Sequence, residues 1–308
     1  MKRTGIIAVV LAAIAGAGAI LRVSAPAGPD PARMAALYAE PLPPPDKALA
    51  VFHIGHSLVN RDMPAMLAQL AGDGHRYESQ LGWGAPMRAH WGDTPVNGFE
   101  EENAHPRFRP AREAVESGDY DVVVLTEAVE IRDSIRYHDS ANFLAAFAEA
   151  ALKARPDSRL YLYESWHALD DPDGWLNRID LDLQRYWLDE ILKPALGRLP
   201  EGTRIHLIPA GRAMAALARE VEARGGVGSV KDRTGLFRDQ IHLNDLGNYY
   251  VALVHYAVIY QKSPIGLPHA LRKGDGTPAK APEPELAILM QELAWSIARS
   301  TPLTGVAP

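Results

Sequence analysis

The sequence predicts an α/β protein: a parallel sheet with helices on both faces, stacked as a three-layer α/β/α sandwich. Three observations carry that expectation. Five short, nearly continuous apolar segments recur along the chain, the pattern of strands buried on both faces. Between them lie stretches with apolar residues at three- and four-residue spacing, as on helices with one buried side. Their alternation is that of βαβ units, whose crossovers make a sheet parallel and cover it.

The N-terminus comes first. Lys2 and Arg3 precede an uncharged apolar run from Gly5 to Leu21, closed by Arg22, the charged and apolar regions of an export signal. The run is about 17 residues, near the lower limit for spanning a bilayer. Val23-Ser24-Ala25 offers small residues for cleavage, but Pro26 would follow the cut. Residues 1–25 therefore read either as a signal peptide or as an uncleaved membrane anchor. The positive residues ahead of the run direct the rest of the chain away from the cytoplasm. The expected location is periplasmic or extracellular, with the membrane touched only through residues 5–21. Residues 26–47, with Pro41, Leu42, Pro43, Pro44 and Pro45, read as an extended, poorly packed spacer with room for a short helix around Arg33–Tyr38.

The folded domain is expected over 48–300. Its strands are Ala48–Ile54, Arg76–Leu81, Tyr120–Leu125, Arg159–Tyr163 and Arg204–Pro209. Helical spacing runs through Pro64–Leu70, Ala111–Ser117, Ala141–Ala154, Leu181–Leu196, Arg212–Arg224 and Asp245–Tyr260, the last capped by Asn244 or Asp245. Residues 225–228 and 273–284 read as loops, and Glu285–Arg299 as a final amphipathic helix on the outside. No internal repeat or second domain is visible.

Composition narrows the chemistry. A domain of about 260 residues is large enough to bury a substantial core unaided. The chain has no cysteine, which removes disulfides, thiol nucleophiles, iron–sulfur clusters and Cys-containing zinc sites together. The net charge is −6 and no basic stripe alternates with aromatics, so nucleic acid is not an expected partner. Eleven histidines raise the question of a metal, but His53 and His56 lie on a strand and its turn and no His-Glu-x-x-His pair exists. No metal and no cofactor is expected.

In an open parallel sheet, ligands bind beyond the carboxyl ends of the strands. Ser57 follows the first strand and Gly55 and precedes a helix, a place that exposes a hydroxyl and nearby backbone N–H groups. On its own Ser57 would equally serve as a helix cap. The second signal is Asp239-Gln240-Ile241-His242, followed by Asn244, Gly247 and an apolar helix. A histidine that takes a serine proton needs a partner to hold its tautomer, and Asp239 can fold back to Nδ1 of His242.

Together, in this order, Gly55-His56-Ser57-Leu58 and Asp239-Gln240-Ile241-His242 resemble the nucleophile and Asp-x-x-His blocks of the SGNH (GDSL-like) hydrolase superfamily. The resemblance spans 48–262. It implies a flavodoxin-like five-strand sheet in the order 2-1-3-4-5, and a serine esterase with Ser57, His242 and Asp239 as catalytic residues. It also implies an oxyanion hole containing the backbone of Ser57 and of a glycine after strand two, here Gly84, with Gly82 second. His90 and Trp91, just beyond, line the pocket or pack under the loop.

The chain departs from the family twice. Where the family places an oxyanion-donating Asn after strand three, this sequence has Thr126-Glu127, with the Thr126 hydroxyl as the replacement donor. His56 replaces the usual Asp or Asn, and is expected either to pair with Glu127 across neighbouring strand ends or to find its own partner. Glu164, Trp166 and His167 follow strand four and are candidate substrate contacts, with core packing or a salt bridge as the alternative; His56 and Glu127 join them as substrate-binding candidates. The expected substrate is a small-molecule or carbohydrate ester, carrying an O-acetyl or other short acyl group. An O-acyltransferase or a degenerate carbohydrate-binding protein is the alternative. The 92–110 loop, with Glu100, Glu101 and Glu102, either lids the site or decorates it.

Overall fold

The computed structural model describes residues 28–308, so the proposed signal or anchor at 1–25 lies outside the described residues. Five strands, β1 (Ala50–His56), β2 (Arg76–Gly82), β3 (Val122–Leu125), β4 (Arg159–Glu164) and β5 (Ile205–Pro209), form one sheet in the order β2-β1-β3-β4-β5. Every neighbouring pair is parallel. The expected architecture is therefore present, and each strand lies within two residues of its predicted bounds. β3 begins two residues later than expected, and just before it the Asp121 carboxylate accepts the Ala50 N–H at 2.8 Å and pairs with Arg155 at 2.6 Å.

The helices, in chain order, are α1 (Pro31–Leu37), α2 (Asp62–Ala71), α3 (Met87–His90), α4 (Phe99–Asn103), α5 (Ala111–Ser117), α6 (Ile131–His138) and α7 (Ser140–Ala154). After β4 come α8 (Trp175–Asp182), a π-helical stretch (Leu183–Leu192) and α9 (Lys193–Leu196). They are followed by α10 (Ala210–Ala223), α11 (Asp245–Tyr260) and α12 (Pro284–Ser300). α6 was not expected: its eight residues bury only Ile131 and Ser134, too few to give a period.

The sheet divides the core in two, and the strands show why. Val51, Val122, Val124, Tyr161, Tyr163 and Ile208 point to the side covered by α2, α10, α11 and α12. The intervening residues Phe52, Ile54, Val123, Leu125, Leu160 and Leu162 point to the side of α5, α7 and α9. This is the period-two alternation of a strand between two layers. α11 is the centre of the first layer, with every residue from Leu246 to Tyr260 buried.

The Pro/Ala-rich segment is not the unpacked spacer expected from its composition. From Asp30 onward it lies on the domain: Met34 enters the core, the Tyr38 hydroxyl donates to the Ile205 carbonyl at 2.7 Å, and the Leu42 N–H donates to Gly305 O at 2.8 Å. Arg159 donates to Pro43 O at 2.8 Å. A few apolar and hydrogen-bonding side chains suffice to dock a proline-stiffened chain that has little entropy to lose. These contacts lie at the amino ends of β4 and β5, the far end of the sheet from Ser57. Among the described residues no helix is long and apolar enough to cross a membrane.

Candidate active site

Ser57 leaves the carboxyl end of β1 in a turn, and α2 begins only at Asp62. Ser57 therefore does not cap that helix. Asn60 does, its Oδ1 accepting from the Asp62 and Met63 N–H groups at 2.7 and 3.3 Å. Asn60 has φ 46°, a left-handed conformation that asparagine tolerates better than most residues. Its Nδ2 donates to Asn248 Oδ1 of α11 at 2.8 Å, tying the serine turn to the helix that follows His242.

The Ser57 Oγ lies 2.9 Å from His242 Nε2, and His242 Nδ1 lies 2.8 Å from Asp239 Oδ2. The three-residue spacing works because Asp239 folds over its own turn, its Oδ1 accepting the N–H groups of Ile241 at 2.9 Å and His242 at 2.8 Å. Desolvation works to raise the Asp239 pKa, but those two backbone donors and the His242 ring together outweigh it and hold the carboxyl at about 2. An ionised Asp239 can only accept, so the imidazole proton sits on Nδ1 and Nε2 is left to accept from the Ser57 hydroxyl.

The loop carrying this pair is fastened on three sides. The Trp166 indole donates to Ile241 O at 2.8 Å, the Leu169 N–H to Gln240 O at 2.7 Å, and the Arg238 N–H to His242 O at 2.9 Å. Asn244 caps α11 through Leu246 N and Gly247 N. At Gly247 a Cβ would stand 2.5 Å from Leu236 O, so only glycine lets the helix start this close beneath the loop.

A cleft of ≈ 210 Å³ opens beside Ser57 and His242. Its walls include Asn60, Arg61, Asp62, Glu102, Arg238 and Asn248. Of these the sequence pointed only to Glu102, within the 92–110 loop, although Asn60, Arg61 and Asp62 sit within five residues of Ser57 and were there to be read. Glu102 settles the role of the 92–110 loop: it forms a wall of the cleft. Arg61 fastens that wall, its guanidinium donating to the backbone carbonyls of Glu102 at 3.1 Å and of Glu101.

Several predicted site residues stand elsewhere. The Thr126 hydroxyl is fully buried and donates to Tyr163 O at 2.7 Å, while its N–H donates to Ile54 O. Its proton is thus committed within the sheet and it is not an oxyanion donor. His56 does meet residue 127, but through the backbone: Nε2 donates to Glu127 O at 2.8 Å and Nδ1 accepts from the Leu58 N–H. Burial drives the His56 pKa down to about 4 against the raising effect of that carbonyl, so the ring is neutral. The Glu127 carboxyl accepts from Ala128 N at 2.7 Å and Met87 N at 3.3 Å, and burial pushes its pKa up to about 7. Both residues are fully buried and neither is a substrate contact.

The residues after β4 are structural too. Glu164 is buried, its pKa raised to about 8 by desolvation, and it accepts the Arg212 N–H at the start of α10 at 3.0 Å. Trp166 is buried and supports the His242 loop rather than a ligand. His167 is buried and pairs with Asp182 at 3.1 Å. His90 is buried against Gln80, and Trp91 packs edge-on against Phe147 with Arg112 over its ring. Gly84, in contrast, is exposed with φ 52° and open space around it, and Gly82 is packed under Val96. Among the described residues, neither the Ser57 nor the Gly84 N–H donates to the protein.

The chain thus has the sheet order and block placement implied by the resemblance to the SGNH (GDSL-like) hydrolases. No protein-family model matches it, and neither does any curated protein. Among solved structures it is similar to a protein described as a GDSL-like lipase from Parabacteroides merdae, at 13% identity and a TM-score of 0.40 over 67% of this chain and 93% of that one. It is also similar to an acetyl xylan esterase, at 18% identity and a TM-score of 0.38 over 66% of this chain and 96% of the other. A third is a gut microbial diltiazem-metabolizing enzyme, at 11% identity and a TM-score of 0.38, of which the match covers 47% and which spans 70% of this chain.

Proposed function

We propose that the protein is a serine esterase working through Ser57, His242 and Asp239, and that it removes short acyl groups from hydroxyls. The unbroken contact from Ser57 Oγ to His242 Nε2 to Asp239, at 2.9 and 2.8 Å, carries this reading. His242 takes the Ser57 proton as Oγ attacks the ester carbonyl, and the proton then passes to the departing alcohol. Water, activated by the same nitrogen, releases the acyl group. Asp239 remains ionised throughout and steadies the imidazolium. The Ser57 and Gly84 N–H groups are the donors for the developing oxyanion.

The cleft supports a short acyl group. Most of the walls beside Ser57 are polar, leaving Leu243 as the apolar surface next to His242, too little to reward burial of a long chain. The basic and apolar N-terminal run supports an exported protein acting outside the cytoplasm, whether residues 5–21 are cleaved or retained as an anchor.

Ser57→Ala tests the mechanism. Hydrolysis of p-nitrophenyl acetate should fall at least about a thousandfold, the scale set by loss of a triad serine. Acetate esters should be preferred over octanoate. Activity unaffected by the substitution would refute the nucleophile; acyl transfer to a sugar in place of water would reassign the reaction as a transferase.

A further inference from the structure

Trp83 directly follows β2 and precedes Gly84. It is 49% exposed yet fixed at both ends. Its backbone N–H donates to Asn97 O at 2.7 Å, and its indole N–H donates to Glu102 Oε1 at 2.8 Å. One face of the ring lies on Gly98, where a Cβ would stand 2.2 Å from the indole; only glycine, here at φ 65°, lets the backbone approach so closely. About half of the side chain is left open to solvent. Of the large apolar side chains the surface exposes, Trp83 is the one bonded to a wall of the Ser57 cleft, through Glu102.

The cleft itself indicates what would meet the open part of the ring. Arg61 and Arg238 are balanced by Asp62 and Glu102, so the lining selects for neither sign of charge. Arg61 gives two of its donors to the Glu101 and Glu102 carbonyls and keeps the rest, and the Asn248 amide, accepting from Asn60, keeps its Nδ2 donor. Closely spaced donors and acceptors without net charge suit a neutral ligand rich in hydroxyls. A rigid indole beside them suits the apolar C–H face of a saturated ring, which needs area and no hydrogen bond.

We propose that Trp83 is the stacking platform of a sugar subsite, and that the alcohol released at Ser57 is a neutral pyranose. The subsite builds on the esterase reading for its placement of the ester, but sugar binding itself does not require catalysis. Trp83 acts as a specificity residue: its ring buries one sugar face while Arg61, Glu102 and Asn248 meet the hydroxyls. Orientation of the acetylated oxygen toward Ser57 then follows from the ring's being held on one side.

Two measurements test this. In the Ser57→Ala background, calorimetry with unacetylated xylotetraose and cellotetraose should detect binding of at least one, weakened about tenfold or more by Trp83→Ala and largely kept by Trp83→Tyr. In the active enzyme, the ratio of kcat/KM for O-acetyl xylotetraose to that for vinyl acetate, which has no ring, should fall about tenfold in Trp83→Ala, chiefly through KM. A ratio unchanged within twofold, or no binding of either sugar, would overturn the subsite. Sugar binding that depends on Trp83 in a protein that cleaves no ester would keep the subsite and reject the esterase.

Discussion

Replacing Thr126 by valine separates the two roles open to that residue. Valine has the same shape, so the methyl that lies beneath Gly55 stays in place, its carbon 2.6 Å from where a Gly55 Cβ would stand. What is lost is one O–H, now donating to Tyr163 O at 2.7 Å with no exposure to water. A net hydrogen bond is worth about 1 kcal/mol, and stranding the buried carbonyl brings the expected loss of stability to roughly 1–3 kcal/mol. With the proton committed to Tyr163, kcat should change less than about threefold, whereas removing a true oxyanion donor costs about 10²–10³. Urea unfolding with linear extrapolation reads the first quantity, and p-nitrophenyl acetate turnover the second. Undiminished stability with a hundredfold fall in kcat would refute the assignment and return Thr126 to the oxyanion hole.

Two further outcomes are expected. Trp166→Phe keeps the buried ring but leaves Ile241 O without its donor beside His242; kcat should fall about tenfold with little change in KM, and an unaltered kcat would show the loop holds itself. Stability should peak near neutral pH. His53, His56, His90, His206 and His255 are buried and His75 and His105 half-buried, all with pKa values pushed below 6.5, chiefly by desolvation. The unfolded chain therefore binds more protons below about 6.5, and stability falls as the pH drops from there toward 4. Glu127 and Glu164, raised to about 7 and about 8, work the other way, since the folded state alone stays protonated and stability declines as the pH rises from 4.5 through those values. Seven groups oppose two, so the acid limb should be the steeper. Urea midpoints at pH 5, 6.5 and 8 check this, and a midpoint at pH 5 equal to that at 6.5 would contradict it.

The fold was legible because its signal is long-range and redundant. Each of the five apolar runs became a strand, and the Asp239–His242 spacing became a turn whose carboxylate reaches the ring. The candidate site was legible only where chemistry is local. Ser57, Asp239 and His242 are each placed by their own turns, so position after a strand or before a helix reveals them. Trp166 and Glu164 also sit at a strand's carboxyl end, but whether such a side chain turns inward depends on the loops packed over it. Here Phe237 and the start of α10 cover them. Trp83 is the converse: the ring that stays out does so because Gly98, fifteen positions later, supports its back. The 26–47 segment was misjudged for a similar reason. Proline content speaks to stiffness and says nothing of the Ile205 and Gly305 carbonyls waiting at the sheet's edge.

The full burial of α11 has a consequence for how the site can breathe. His242 and Asp239 are joined to a helix that cannot shift without exposing core, so amides from Leu246 onward should exchange with solvent only on global unfolding. The opposite wall is of another kind: α4 buries only Asn103, whose amide exchanges hydrogen bonds with the Leu81 backbone of β2 at 2.9 and 2.8 Å, and beyond that it is held by Arg61 and by the Trp83–Glu102 bond. Any opening that admits a substrate larger than the cleft must come from that wall. One jaw of the site is sunk in the core along its whole length, and the other hangs on a single buried amide and a few polar bonds at the surface.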